Sequence, residues 1–147
     1  MPDSRTGDPS QDLGRAWITL SLVLAAHVVD EALTDFLSVY NPIVVSARAR
    51  FAWFPMPTFT FGVWLAGLIG AVAILLLLAP LAYSGVTVMR LAAYPFGVLM
   101  LLNGLGHLAA SGYFWRWMPG ATTAPLLIAA SIWLLRTARA FGDRLPA

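Results

Sequence analysis

Residues 58 to 79, TFTFGVWLAGLIGAVAILLLLA, carry no charged side chain and no proline. At ~1.5 Å of rise per residue, a helix of this length crosses the ~30 Å hydrocarbon core of a bilayer. Backbone N–H and C=O groups inside that core must pair with one another, so a spanning helix is the form such a run can take. Three further runs are long and predominantly apolar, though each holds some charge or proline: Leu13 to about Tyr40, Val86 to about Gly112, and Ala121 to about Phe141. The whole chain is 59% hydrophobic and 11% charged, where ordinary soluble domains hold ~25% charged residues. The expectation is an all-α integral membrane bundle of four transmembrane helices. It would form a single domain over residues 13–141, between a flexible polar tail at 1–12 and a short C-terminal tail at 142–147.

Punctuation along the chain sets the expected boundaries. Asn41-Pro42 is read as the end of the first helix, because proline disfavours helical geometry in the residue before it. Residues 43–57 then place Arg48, Arg50, Phe51, Trp53 and Phe54 near the prolines Pro55 and Pro57, a composition suited to a segment at the headgroup level. Pro80 and Tyr83-Ser84-Gly85 close the second helix, and Pro95 is expected to kink the third. Tyr113, Trp115, Arg116 and Trp117 form an interfacial belt before the Met118-Pro119-Gly120 turn. Gly62, Ala66 and Gly70 make a small-residue stripe that permits close helix packing.

Four spans bring both termini to one side. Arg5, Arg15, Arg90, Arg136, Arg139 and Arg144 fall there, against Arg48, Arg50 and Arg116 opposite. That asymmetry places both termini in the cytoplasm of a plasma (inner) membrane protein. The apolar run after the polar N-terminus continues into charge rather than a small-residue cleavage site, and is read as a retained helix. A formal net charge of +2 implies no nucleic-acid partner, and the absence of cysteine excludes disulfides, thiolate ligands and cysteine nucleophiles. The expected partners are the lipid bilayer and a hydrophobic small molecule, with a homo-oligomer left open.

Charge inside an apolar span is costly, which singles out His27-Val28-Val29-Asp30-Glu31 in the first helix. At ~100° per residue, His27, Asp30 and Glu31 share one face. The second histidine lies in Asn103-Gly104-Leu105-Gly106-His107, where Asn103 and His107 share a face at i, i+4. Measured inward from Arg15 and Arg90 at ~1.5 Å per residue, His27 lies ~18 Å deep, Asn103 ~20 Å, Glu31 ~24 Å and His107 ~25 Å. The two motifs therefore reach one level and meet if their helices are neighbours. Asp35 would lie ~30 Å in, near the far surface, and its membership of the site is left open. Gly104-Leu105-Gly106-His107-Leu108-Ala109 fits a dinucleotide glycine pattern in form only, since it follows no strand.

These motifs resemble the HXXEE domain family, small integral membrane proteins named for a His-x-x-Glu-Glu signature. Here the signature stands as His27-Val28-Val29-Asp30-Glu31, with aspartate for the first glutamate. The resemblance continues in Asn103 and His107, similar to the family's Asn-x-x-x-His, and in Met118-Pro119-Gly120 with Thr122 before the last helix. It covers most of residues 15–140. It implies the architecture and nominates His27, Asp30, Glu31, Asn103 and His107, without implying a reaction.

Two histidines, two carboxylates and an amide in an apolar bundle suit proton transfer. The expected function is a membrane-embedded enzyme acting on a lipophilic, isoprenoid- or lipid-like molecule by isomerisation, cyclisation or hydrolysis, with those five residues catalytic. A metal-dependent hydrolase or oxidase uses the same residues: His27, Glu31 and His107 would ligate a single divalent zinc or iron ion, with Asp30 as a fourth ligand or base. A proton-coupled transporter and a structural membrane subunit are the readings from other classes.

Overall fold

The structure is a computed structural model and describes residues 8–142. Six helices follow in order: α1 (Pro9–Leu33), α2 (Phe36–Arg50), α3 (Phe61–Leu77), α4 (Ala79–Tyr83), α5 (Thr87–Tyr113) and α6 (Ala124–Gly142). There is no strand among the described residues. Four helical stretches are long and apolar enough to cross a membrane: Pro9–Leu33, Phe61–Tyr83, Thr87–Tyr113 and Ala124–Gly142. The chain is an all-α membrane protein with the expected four spans.

The first span begins earlier than Leu13. Pro9 fits the first helical position, where no N–H is needed, and the Asp8 carboxylate accepts from Ser10 N–H at 3.0 Å and Ser10 Oγ–H at 2.8 Å. Backbone and side-chain bonds from Ser10, in that order, hold the Asp8 carboxyl below its ordinary pKa. The part of the expected tail at residues 1–7, and residues 143–147 at the other end, lie outside the described residues.

That first span also ends earlier than expected. Helical geometry breaks at Thr34-Asp35, where Asp35 takes a left-handed conformation with φ 57°. Aspartate tolerates that region better than most residues. Asn41-Pro42, read as a terminator, instead sits inside α2. The Asn41 amide is committed elsewhere: it donates to the Phe59 carbonyl at 2.9 Å and accepts from Phe59 N–H at 3.1 Å. With Tyr40 Oη–H donating to the Pro57 carbonyl at 2.9 Å, it clips α2 to the segment that leads into α3. Much of the expected interfacial segment is thus helix. Pro95 likewise lies within an unbroken α5, and Pro80 falls in the first turn of α4.

Helix α6 lies between α1 and α5 and packs on both, while α3 and α4 pack on α1. Leu13, Trp17 and Leu20 of α1 meet Leu127 and Leu134 of α6 in the core, with Ala93 and Met89 from α5. Lipid is as apolar as leucine, so close contact rather than water exclusion holds such helices together. Glycine supplies that contact on α5: a methyl carbon at Gly104 would stand 3.0 Å from the Ala124 carbonyl oxygen and 2.8 Å from Ile128. Trp17 ties α1 to α3 through its indole N–H, 2.8 Å from the Leu75 carbonyl. The expected stripe on α3 is not used this way, since a methyl group at Gly62 or Gly70 would meet nothing within 4 Å.

Candidate functional site

The helical-rise count requires α1 and α5 to present the two motifs at one level, and they do. His27 and Glu31, one turn apart near the end of α1, face Asn103 and His107 of α5. The imidazole rings of His27 and His107 stand edge to face with centroids 4.8 Å apart. His107 Nε2 is 3.0 Å from Glu31 Oε1, and His27 Nε2 is 3.7 Å from the same oxygen. His27 is fully buried, and Glu31 is 4% exposed.

Both rings are held from behind by oxygen. His107 Nδ1 lies 2.5 Å from the Pro119 carbonyl, which can only accept, so Nδ1 carries the proton. Asp30 Oδ2 receives Thr123 N–H at 3.0 Å and Thr123 Oγ–H at 2.9 Å. With its proton directed to Asp30, Thr123 Oγ accepts from His27 Nδ1–H at 2.7 Å. With each imidazole neutral, both Nε2 atoms then carry the lone pair. His27 Nε2 lies 3.2 Å from Asn103 Oδ1; with the His27 proton on Nδ1, this contact becomes a hydrogen bond once the amide turns its N–H to the ring. His107 Nε2 and the Glu31 carboxylate are both acceptors at hydrogen-bond distance, so the contact needs an electrophile between them, a proton or a metal ion.

The turn before α6 completes the arrangement. Ser111 Oγ donates to the His107 carbonyl at 2.9 Å and accepts from Met118 N–H at 3.1 Å, folding the aromatic loop back onto α5. Gly120 follows with φ 79°, a conformation that favours glycine. A methyl carbon there would stand 2.7 Å from His107 Cε1 and 3.1 Å from Glu31 Cγ. The Pro119-Gly120 turn is thus a wall of the site.

A cavity of about 350 Å³ reaches the cluster between α2 and α5. Glu31, Asn103 and His107 line one part, and Phe36, Tyr40, Leu99, Leu102 and Gly106 are among the remainder. Its volume falls in the range of small-molecule sites. Phe36 bridges the region, 5.7 Å from the His107 ring and 5.9 Å from Trp64. Burial pushes the Tyr40 phenol above its ordinary pKa, with Arg48 opposing. Tyr40 is therefore a neutral hydroxyl at physiological pH.

Of the residues expected at the site, His27, Glu31, Asn103 and His107 come together. Asp30 shares their region of α1, but its carboxylate is directed to Thr123, away from the cavity lining. Asp35 stands exposed at the start of α2, outside the cluster. Thr123 escaped the sequence reading, which singled out Thr122; Thr122 accepts from the Trp117 indole N–H at 3.1 Å instead. The available signal was positional: Thr123 directly precedes α6 and the proline at its second residue, the place of a helix-capping threonine.

His27, Glu31 and His107 each offer one ligand atom within 4.8 Å of the others. Two imidazoles and one carboxylate suit zinc or iron, and oxygen partners behind both Nδ1 atoms are the usual support of metal-binding histidines. Comparison with known protein families, curated proteins and solved structures finds no match to this chain.

Proposed function

We propose that this protein is a membrane-embedded enzyme acting on a lipophilic small molecule at the His27/Glu31/His107 cluster. The observation that carries the reading is the apolar cavity that ends on Glu31 and His107. A cluster serving helix packing alone needs no such opening. Acid–base chemistry suits the pair: a proton held between His107 Nε2 and Glu31 can pass to an alkene, carbonyl or epoxide brought against it, and the vacated base can take one back. Isomerisation, cyclisation and hydrolysis all use that exchange. Asn103 orients the second imidazole, while Asp30 and Thr123 act as positioning residues. Membership of the HXXEE family, and a plasma-membrane orientation with both termini cytoplasmic, are part of the same proposal and rest on the sequence motifs and the arginine asymmetry.

The test compares lipid extracts of cells expressing the wild type, Glu31→Gln or His107→Ala at matched levels of folded protein. A hydrophobic metabolite that changes with the wild type alone supports the reading. Profiles identical for all three would overturn it. A metal-dependent version is favoured by one further observation, the oxygen anchors behind both imidazoles, and elemental analysis separates it from the metal-free version.

A further inference from the structure

We infer that the cavity takes an uncharged, single-chain lipophile with one hydrogen-bonding head, which reaches it sideways from the bilayer through the cleft between α2 and α5. The inference rests on the enzyme reading and adds the class and route of the substrate. Along α5 the cleft is lined from Leu99 to Ala110, ~16 Å at helical rise. Leu99 lies 14 residues before the end of α5 at Tyr113, ~21 Å below that end and well within a hydrocarbon core. Leu99 and Leu102 are 62% and 61% exposed, so this part of the cleft faces acyl chains rather than water. Along α2 only Phe36 to Ile43 contribute, ~10 Å of helix. The cavity's volume of about 350 Å³ is at the small end of ligand pockets, which suits one chain lying beside α5.

The polar groups confine the head. Glu31, His107 and Asn103 sit together in the lining, and Tyr40 adds a hydroxyl oxygen from α2 that can accept while its own O–H stays on the Pro57 carbonyl. Among the described residues no arginine lines the cavity, and the chain has no lysine. Phosphate and carboxylate heads need cationic partners when removed from water, and here they would meet the Glu31 carboxylate instead. A fixed cation would displace the shared electrophile between Glu31 and His107, leaving His107 without its partner. Alcohols, aldehydes, ketones and epoxides meet neither obstacle: each brings an oxygen that accepts from the electrophile at His107–Glu31 or from Asn103. Gly106 lies in the lining with nothing within 4 Å of where its Cβ would be. A side chain there starts from open space on the cleft side and is expected to fill the cleft.

The experiment uses the full chain in phosphatidylcholine vesicles and three photoactivatable probes. They share one diazirine-bearing alkyl chain and end in an alcohol, a phosphate monoester or a trimethylammonium group. The sites of labelling are mapped by mass spectrometry. The alcohol is expected to label the α2 and α5 residues of the cleft, and the two charged probes to label only outer surfaces. Gly106→Trp should cut cleft labelling by about tenfold, a displaced bound chain costing at least ~1.4 kcal/mol. Gly70→Trp, at an open glycine on α3 away from the cleft, should leave it unchanged. Leu102→Trp is a second obstruction at an exposed lining position, should Gly106→Trp not fold. Cleft labelling by either charged probe at the level of the alcohol would overturn the head class. Cleft labelling unaffected by both obstructions would overturn the route. Neither result touches the enzyme reading, which stands or falls on Glu31→Gln in the lipid profile.

Discussion

His107 Nε2 stands 3.0 Å from Glu31 Oε1 while its Nδ1–H is fixed to the Pro119 carbonyl. The pair is one unit, since each member satisfies a buried group of the other. Removing one partner of a buried charged pair costs ~3–5 kcal/mol, much of it from the group left alone. His107→Ala is therefore expected to fold with a lower unfolding temperature in detergent, and Glu31→Gln on that background to restore part of the loss. The double-mutant coupling should be ~1–3 kcal/mol. Additive effects would mean that the two side chains do not share a proton or an ion.

Asp30 acts on the site at one remove. Its carboxylate holds Thr123, which in turn holds His27 Nδ1–H. Asp30→Asn keeps the shape but weakens the acceptor, and Thr123→Val removes the link. Each is expected to lower activity ~10–100-fold, as loss of a supporting partner does, with little further loss in the double variant. Thr123→Ser keeps the hydroxyl and should restore most of the activity. A Thr123→Ser variant as impaired as Thr123→Val would show that the methyl packing, not the hydrogen bond, matters.

Gly120 offers a sharper contrast. Its φ of 79° already disfavours a side chain, and an added methyl would press on His107 and Glu31 at 2.7 and 3.1 Å. Gly120→Ala should lose activity and ~1–3 kcal/mol of stability. Gly106→Ala, inside α5 with open space around the new methyl, should cost no stability and is expected to add up to ~1 kcal/mol through helix propensity. Equal effects at both positions would contradict the placement of the turn against the imidazole.

What the amino-acid sequence reveals here follows from which constraints are local. Charge-free runs such as residues 58–79 announce a span because the bilayer forbids alternatives. Counting helical rise from Arg15 and Arg90 puts His27 level with Asn103 and Glu31 level with His107, and both pairs do meet. The break at Asp35 was hidden, since a left-handed residue between helix-compatible neighbours leaves no compositional mark. Asn41-Pro42 misled because the Asn41 amide is spent on Phe59, a tertiary contact that no local rule contains. The glycine pattern misled similarly: spacing marks a possible helix contact, and only the fold decides which is used. Gly104→Val, against the Ala124 carbonyl, should destabilise the bundle, whereas Gly62→Val on the unpartnered face should not.

The electrophile between the acceptors can be identified directly. If it is a metal ion, His27 and His107 supply Nε2 and Glu31 supplies oxygen, and the cavity side offers room for a water or substrate atom as a further ligand. Protein purified without chelator would then carry close to one zinc or iron per chain, and both His27→Ala and His107→Ala would lose it while remaining folded. Asp30→Asn would weaken retention without abolishing it, because Asp30 reaches the ion only through Thr123 and His27. If instead the wild type is free of metal and Glu31→Gln still alters the lipid profile, the electrophile is a proton. The catalytic step is then transfer between His107, Glu31 and the substrate, and elemental analysis of the wild type with these variants decides between the two.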